Sequence, residues 1–443
     1  MADGPVAVVG GGPAGLAAAV ELRRRGVREV VVLEREPEAG GIPRHAKHAG
    51  FGLRDLRRPL SGPAYARRWV ELAREAGVEV LEETMVTGWG EGGRAAAAGA
   101  AGSGARLELT SPRGRSTLDP AAIVLATGCR ERPRSARLVP GSRPAGVMTT
   151  GMLQQLVYLR GLPAGRRALV VGAEHVSFSA ILTLAHGGAD TVALITELRR
   201  HASVAAFSVG ARLRYRVPVW TRTQVTAIHG RPRVEQVELT DLDTGRTRTV
   251  ECDTVLFTAD WIPDHELAVM AGLELDPATR GPAVDPALRS SLPGVFAAGN
   301  LLHGAEQADV AALSGRHAAA GVARYLEDGE WPRQRVPIVC ESPLGWIAPN
   351  VVAGGAPAIA PPPGAAVAPL EAGPRDAPPR GRFALRAHEF LRAPRVEIVQ
   401  GDSVLWSGRL ARLMPGRSTR VPHGWTSRAD PGGGEVRVRL RGG

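Results

Sequence analysis

Short apolar runs recur along the chain, and the first two frame its most informative segment. Pro5–Val9 is apolar and leads into Gly10-Gly11-Gly12-Pro13-Ala14-Gly15. Leu16–Arg25 then carries small and apolar residues early and Arg23, Arg24 and Arg25 at its end, with Gly26 as a stop signal. Glu29–Leu33 is a β-branched run that ends at Glu34. The pattern predicts strand, glycine turn, helix and strand within one unit of about 30 residues.

Gly10, Gly12 and Gly15 form G-x-G-x-x-G. The first glycine permits the tight turn, the second lets backbone approach a pyrophosphate, and the third lets helix and strand pack closely. The helix start at Pro13-Ala14 offers free N–H groups and a positive dipole end to phosphates. Glu34, 19 residues after Gly15, stands where an acidic side chain accepts hydrogen bonds from a ribose. The alternative is a tight turn with a structural role only. Gly10, Gly12, Pro13, Ala14, Gly15, Glu34 and Arg35 are the candidate cofactor contacts of this unit.

A second unit follows the same pattern: strand Ala168–Val171, turn at Gly172, helix Ser177–His186, strand Thr191–Thr196. Its glycine motif is damaged, because Glu174 takes the second position and Ser177 the third. A carboxylate where pyrophosphate would approach repels it unless the loop reorganises, which counts against NAD(P) binding there. Glu197, Arg199 and Arg200 are either ribose or phosphate contacts or plain surface charge.

Val78–Leu81, Arg106–Thr110 and Ala121–Ala126 also read as strands, and Glu91–Gly104 as a flexible Ala/Gly-rich hairpin insertion. Later, Val295-Phe296-Ala297-Ala298-Gly299-Asn300 forms a strand with a polar end, followed by a helix over Asp309–Leu326. Residues 331–382 read as a Pro/Ala-rich linker that includes Pro361-Pro362-Pro363. Strand-like runs at Phe383–Arg386, Arg395–Val399, Ser403–Trp406 and Glu435–Leu440 predict a β-rich module over 383–443.

Composition narrows the classes. The 443 residues suggest roughly three domains at about 150 residues each. The net charge of +11 is carried almost wholly by arginine, since Lys47 is the only lysine. The basic residues are scattered and not interleaved with aromatics, so no nucleic-acid partner is expected. Cys129, Cys252 and Cys340 form no CxxC pair, which excludes a zinc ribbon, an iron–sulfur site held by this chain alone and a disulfide framework; no metal site is expected. No apolar run reaches the roughly 18 residues of a membrane span, and a cytoplasmic location is expected.

The order of the two glycine units, Leu125-Ala126-Thr127-Gly128 and the 295–300 segment resembles the two-dinucleotide-binding-domain flavoproteins, the pyridine nucleotide-disulfide oxidoreductase superfamily, over about residues 5–330. The resemblance implies an α/β fold of two Rossmann-like, three-layer ββα domains. The FAD-binding domain would span 1–150 and 276–330, with the NAD(P)-binding-like domain inserted at 151–275. It implies FAD held also by Gly41, Ala126, Thr127, Gly128, Gly299 and Asn300. Asn300 stands where the family has an acid, and an amide can still bond a hydroxyl.

Gly40-Gly41-Ile42-Pro43, His48–Leu53, Gly128–Arg132 and Gly299–His303 are similar to the flavoproteins encoded beside glycerol-3-phosphate dehydrogenases. They are less closely similar to the flavin subunits of opine oxidases, amino-acid dehydrogenases and hydrogen cyanide synthase. Such proteins commonly pair with a second flavoprotein and a small iron–sulfur subunit. The chain departs from the disulfide reductases at Arg44-His45-Ala46-Lys47-His48, where Ala46 leaves no thiol for a dithiol relay. Cys129 reads as a packed or idle thiol.

The resemblance places His45, Lys47 and His48 near the flavin, as a general base or a carboxylate anchor, or else as solvated loop residues. Arg44 is a candidate for an anionic substrate. His303 is placed near the pyrimidine edge, where it would act chemically or simply pack. Three functions follow: an FAD-dependent oxidoreductase, or its electron-transfer subunit, that works on a small metabolite; an NAD(P)H-dependent flavin reductase or oxidase; and a mainly structural flavoprotein within a hetero-oligomer.

Overall fold

In a computed structural model, residues 4–90, 105–203, 209–210, 213–354 and 377–441 are described. The expected hairpin insertion at 91–104 and the most Pro-rich part of the expected linker, 355–376, lie outside them.

The opening strand–turn–helix–strand pattern builds the first sheet. Its strands lie in the order Val295–Ala297, Ala122–Leu125, Val6–Val9, Val30–Leu33, Glu79–Leu81, all parallel. Val6–Val9, Val30–Leu33 and Ala122–Leu125 are buried at every position, because both faces are covered and no residue can be polar. Helix Pro13–Arg24 packs so tightly on helix Ala308–Asp328 that a Cβ on Gly315 would stand 1.9 Å from the Ala14 carbonyl oxygen.

A second parallel sheet runs Val147–Thr149, Thr254–Phe257, Arg167–Val171, Asp190–Ile195, Val219–Trp220. The two domains are joined by one antiparallel ladder, Cys129–Glu131 against Trp261–Pro263, at which the chain leaves the first domain and re-enters it. This is the expected α/β architecture of two Rossmann-like domains. The crossing comes earlier than the expected limits of 151 and 275. Val147–Thr149 already belongs to the second sheet, and the ladder is too short to show as an apolar run.

The C-terminal module is larger than its sequence suggested. Gln334–Cys340, Leu344–Ala348 and Val351–Gly354, expected to be linker, are strands. Pro337, Pro343 and Pro349 made the stretch read as loop, but Val336 and Ile338 alternate inward and Leu344–Ala348 is buried throughout. These strands join Arg382–Ala387, Arg395–Gln400, Ser403–Arg409, Thr419–Pro422 and Val436–Leu440 in two sheets around one core that contains Phe383, Ile398, Val438 and Trp425. The Arg335 guanidinium donates to the carbonyls of Ala283 and Ser290 and ties the module to the first domain.

Candidate active site

The glycine turn opens onto a cavity of about 1960 Å³, well beyond the ~300–1,000 Å³ of sites for drug-sized ligands. Gly10 has φ +109°, and a Cβ on it would lie 2.5 Å from the Ala126 carbonyl oxygen. A Cβ on Gly15 would lie 1.9 Å from the Gly10 oxygen, so the third glycine is what lets helix and strand meet. Gly12 has no atom within 4 Å of where a Cβ would be, leaving its backbone open to the cavity. Gly41, at φ +62°, crosses Gly12 so closely that a Cβ would stand 2.9 Å from the Gly12 Cα.

Glu34 sits beneath this turn, 6% exposed. The Gly11 N–H donates to its Oε2 at 2.9 Å and the Glu36 N–H to its Oε1 at 2.8 Å. Burial raises its pKa, and the two N–H bonds oppose that rise. Pro13 and Ala14 open the helix on the same wall, and exposed Arg35 lies 3.7 Å from the Asp264 carboxylate.

The opposite wall comes from the ends of strands Ala122–Leu125 and Val295–Ala297. Ala126, Thr127, Gly128 and Asn300 line it. The Thr127 hydroxyl donates to the Asp264 carbonyl at 2.7 Å. The Asn300 Oδ1 accepts the Glu306 N–H at 3.1 Å, which fixes the amide. Gly299, at φ +73°, stands behind the wall, where a Cβ would meet the Ala14 Cβ at 2.6 Å.

The short helical turn Ile42–His45 brings His45, Ala46 and His48 to the cavity. His45 is buried, its Nδ1 lies 3.4 Å from the Gln154 Oε1, and burial lowers its pKa. The His48 Nδ1 lies 3.0 Å from the Ala49 carbonyl oxygen. Lys47, expected beside them, is not on the cavity wall. The chain reverses after the turn, and its Nζ rests 5.1 Å from the centre of the Tyr158 ring. Arg44 lines the cavity and pairs with Glu38 at 3.1 Å.

His303 lies on the cavity wall and stacks on Trp346 of the C-terminal module, with ring centres 4.7 Å apart and planes 12° apart. Burial pushes its pKa down to about 4, so the ring is neutral at pH 7. Its Nδ1 is buried without a hydrogen-bond partner. An open glycine backbone at one wall and a flat, neutral imidazole at another fit an extended dinucleotide with a heteroaromatic end, as FAD is.

Sequence reasoning gave no role to two groups here. Glu131 is buried and accepts N–H bonds from Gly151 at 2.9 Å and Ala259 at 3.1 Å, pinning the crossing ladder to the second domain. It stood inside the 128–132 motif but had no partner in sequence. Trp346 lay in the expected linker. Cys129 lines the cavity, but burial, with Asp264 and Glu131 nearby, pushes its thiol far up and away from the reactive thiolate. Among the described residues, no group of His, Cys, Asp or Glu is arranged to hold a metal, and no helix is long and apolar enough to cross a membrane.

The second glycine turn lines the same cavity through Glu174, His175 and Val176, with Gly172 packed behind it. A Cβ on Gly172 would stand 1.9 Å from the Thr258 Oγ1, which in turn lies 2.7 Å from the Ser177 Oγ. Burial raises the pKa of Glu174, and the C-terminal module presses Gly416 onto it: a Cβ there would stand 2.9 Å from Glu174 Cγ. Phe390, also of the module, lies under the Arg200 guanidinium at 4.2 Å.

A family model for pyridine nucleotide-disulphide oxidoreductases matches residues 4–315, which stops short of the C-terminal module. The chain is 28% identical over 364 residues to the putative glutamate synthase [NADPH] small chain of Cereibacter sphaeroides, covering 72% of this chain and 76% of that one. It is 29% identical over 348 residues to an opine oxidase subunit of Agrobacterium tumefaciens strain Ach5; the match covers 70% of this chain and only 64% of that one. The crystal structure of T. acidophilum thioredoxin reductase superposes with a TM-score of 0.59 at 23% identity, over 73% of this chain and 99% of that one, a likeness of fold.

Proposed function

The chain belongs to the pyridine nucleotide-disulphide oxidoreductase family, and from that membership we propose that this FAD-dependent oxidoreductase oxidises a small amine, amino acid or hydroxy acid without a dithiol relay. The observation that carries the reading is the wall at 44–48, where His45 and His48 face the cavity and Ala46 stands between them with no thiol. FAD, when bound, supplies the hydride acceptor.

The chain's own residues hold the cofactor and manage the proton. Gly12 and the helix start at Pro13-Ala14 would hold the pyrophosphate, Glu34 a ribose, and Asn300 a hydroxyl. Neutral His303, stacked on Trp346, is a flat packing group for the heteroaromatic end; at about 4 its pKa is too low for it to be the base. His45 is kept in its neutral, basic form by burial and is oriented by Gln154, which suits it to take the proton from the substrate N–H or O–H. His48 is the alternative acceptor. Lys47 is left out of this role by its place on Tyr158.

A second reading, an NAD(P)H-dependent flavin reductase, has the strand–turn–helix at 167–186 in its favour. Glu174 under Gly416 and Arg200 over Phe390 weigh against it. The opine oxidase relative, itself one subunit of its enzyme, supports a place for this chain in a hetero-oligomer. The partners to look for are a second flavoprotein and a small iron–sulfur protein. The isolated cysteines suit a reducing, cytoplasmic setting.

Anaerobic mixing of the FAD-loaded protein with NADH, NADPH and a panel of amines, amino acids and hydroxy acids tests the reading. Bleaching of the flavin band by a member of the panel and by neither nicotinamide is expected. Rapid bleaching by NADH or NADPH would overturn it, and silence to every reductant would favour a mainly structural role.

A further inference from the structure

The cavity lining also carries arginines that do not belong to the glycine turn. The loop after Phe51 brings Arg54 to it, and the C-terminal module brings Arg380, Arg382, Arg412, Arg417 and Arg420; Arg54, Arg380 and Arg420 lie within reach of one another's charge, while Arg417 stands beside His175. All six side chains are exposed. Among the described residues, Arg54 pairs with Asp309 at 3.4 Å, and none of the other five has a carboxylate at ion-pair distance, although Asp309 also acts on Arg380 from farther off. The carboxylates beside the wall are already engaged. Asp309 faces Arg54, while Glu306 accepts from Arg386 at 3.2 Å and from the Ser418 hydroxyl at 2.5 Å.

Guanidinium groups repel one another, and a fold has no reason to converge them without compensation. Arg380 shows the cost. Its backbone is held at φ +60°, a region side chains rarely adopt, and its pKa is lowered by burial and by the positive charges of Arg420 and Arg54. These groups come from segments more than three hundred residues apart in sequence and meet only because the module docks beside the glycine-turn domain. On the reading above, the phosphates of a bound dinucleotide would be met at Gly12 instead. The planar guanidinium fork matches carboxylate and phosphate oxygens two at a time.

We propose that this arginine wall is the substrate-anchoring site, and that it takes a small dianionic metabolite, its charge carried by two carboxylates or by a phosphate. The inference rests on the reading of the protein as a metabolite-oxidising flavoprotein and names the class of that metabolite. It also gives the C-terminal module, beyond the family match, a role in specificity.

Calorimetric titration of the FAD-loaded protein at low ionic strength with succinate, inorganic phosphate and acetate tests it. At least one dianion binds saturably and at least tenfold more tightly than acetate. Arg380→Gln and Arg420→Gln each weaken that binding about tenfold or more while FAD content stays unchanged. Both side chains are exposed, so the variants keep the fold, and Arg412→Gln serves as a third. Binding of succinate alone marks a polycarboxylate, and binding of phosphate alone a phosphorylated metabolite. No saturable binding of either dianion, or equal affinity in the double Arg380→Gln/Arg420→Gln variant, overturns the proposal. If a dianion binds at the arginines but no metabolite reduces the flavin, the site stands and the oxidation reading fails. If a metabolite reduces the flavin while neither dianion binds, the reverse holds.

Discussion

His303 offers the clearest link between burial, charge and the site. The ring is stacked on Trp346, and its pKa lies at about 4 against an ordinary 6.5. Above pH 6.5 the imidazole is neutral in both folded and unfolded chains and costs nothing. As pH falls below 6.5 the unfolded chain takes up the proton first, so stability is lost progressively until about pH 4, where the folded ring also titrates. At about 1.36 kcal/mol per pH unit, the interval corresponds to roughly 3 kcal/mol. His303→Phe keeps a flat ring against Trp346 and removes the titration. Urea unfolding of the flavin-free proteins at pH 7.5 and pH 4 measures the difference. The wild type is expected to lose about 3 kcal/mol more than the variant over this range, since contributions from other groups, including His45, His175 and His317, cancel between the two proteins. Equal losses would show that His303 is not held in its neutral form and would remove its assigned role toward the cofactor.

Other substitutions probe the remaining walls. Gly15→Ala drives a methyl to 1.9 Å from a backbone oxygen, so loss of bound FAD and destabilisation of roughly 3 kcal/mol, the upper end for overpacking, are expected in flavin content and thermal unfolding. Glu34→Gln keeps the shape but loses the charge that the two N–H groups address, and FAD affinity is expected to fall about tenfold or more in a fluorescence titration. Glu174→Gly restores the second glycine but leaves Gly416 and Phe390 in place, so no gain of NADPH-driven flavin bleaching is expected. A gain would show that the carboxylate alone closes that cleft.

The first domain was legible because its signals are local. Val6–Val9, the glycines and Glu34 lie within one short unit, and Gly10 and Gly15 have steric reasons that sequence spacing already encodes, while Gly12 leaves its backbone open. Lys47 was misplaced because sequence adjacency says nothing about which side of a reversing chain a residue takes. The strands at 334–354 were hidden by Pro337 inside the first and by Pro343 and Pro349 beside the second, although Val336 and Ile338 carried the alternation. The arginine wall, the stack of Trp346 on His303 and the press of Gly416 on Glu174 were not legible at all. They depend on how the C-terminal module docks, and no local pattern reports contacts between segments so far apart.

With no cysteine pair beside the flavin, the protein takes up only the flavin's own electrons, and anaerobic reductive titration counts them. Dithionite added to the FAD-loaded protein is expected to complete reduction at about two electrons per flavin, the capacity of the flavin alone. An uptake near four electrons, with a disulfide reduced before the flavin, would contradict the reading of Ala46 and return the chain to dithiol chemistry.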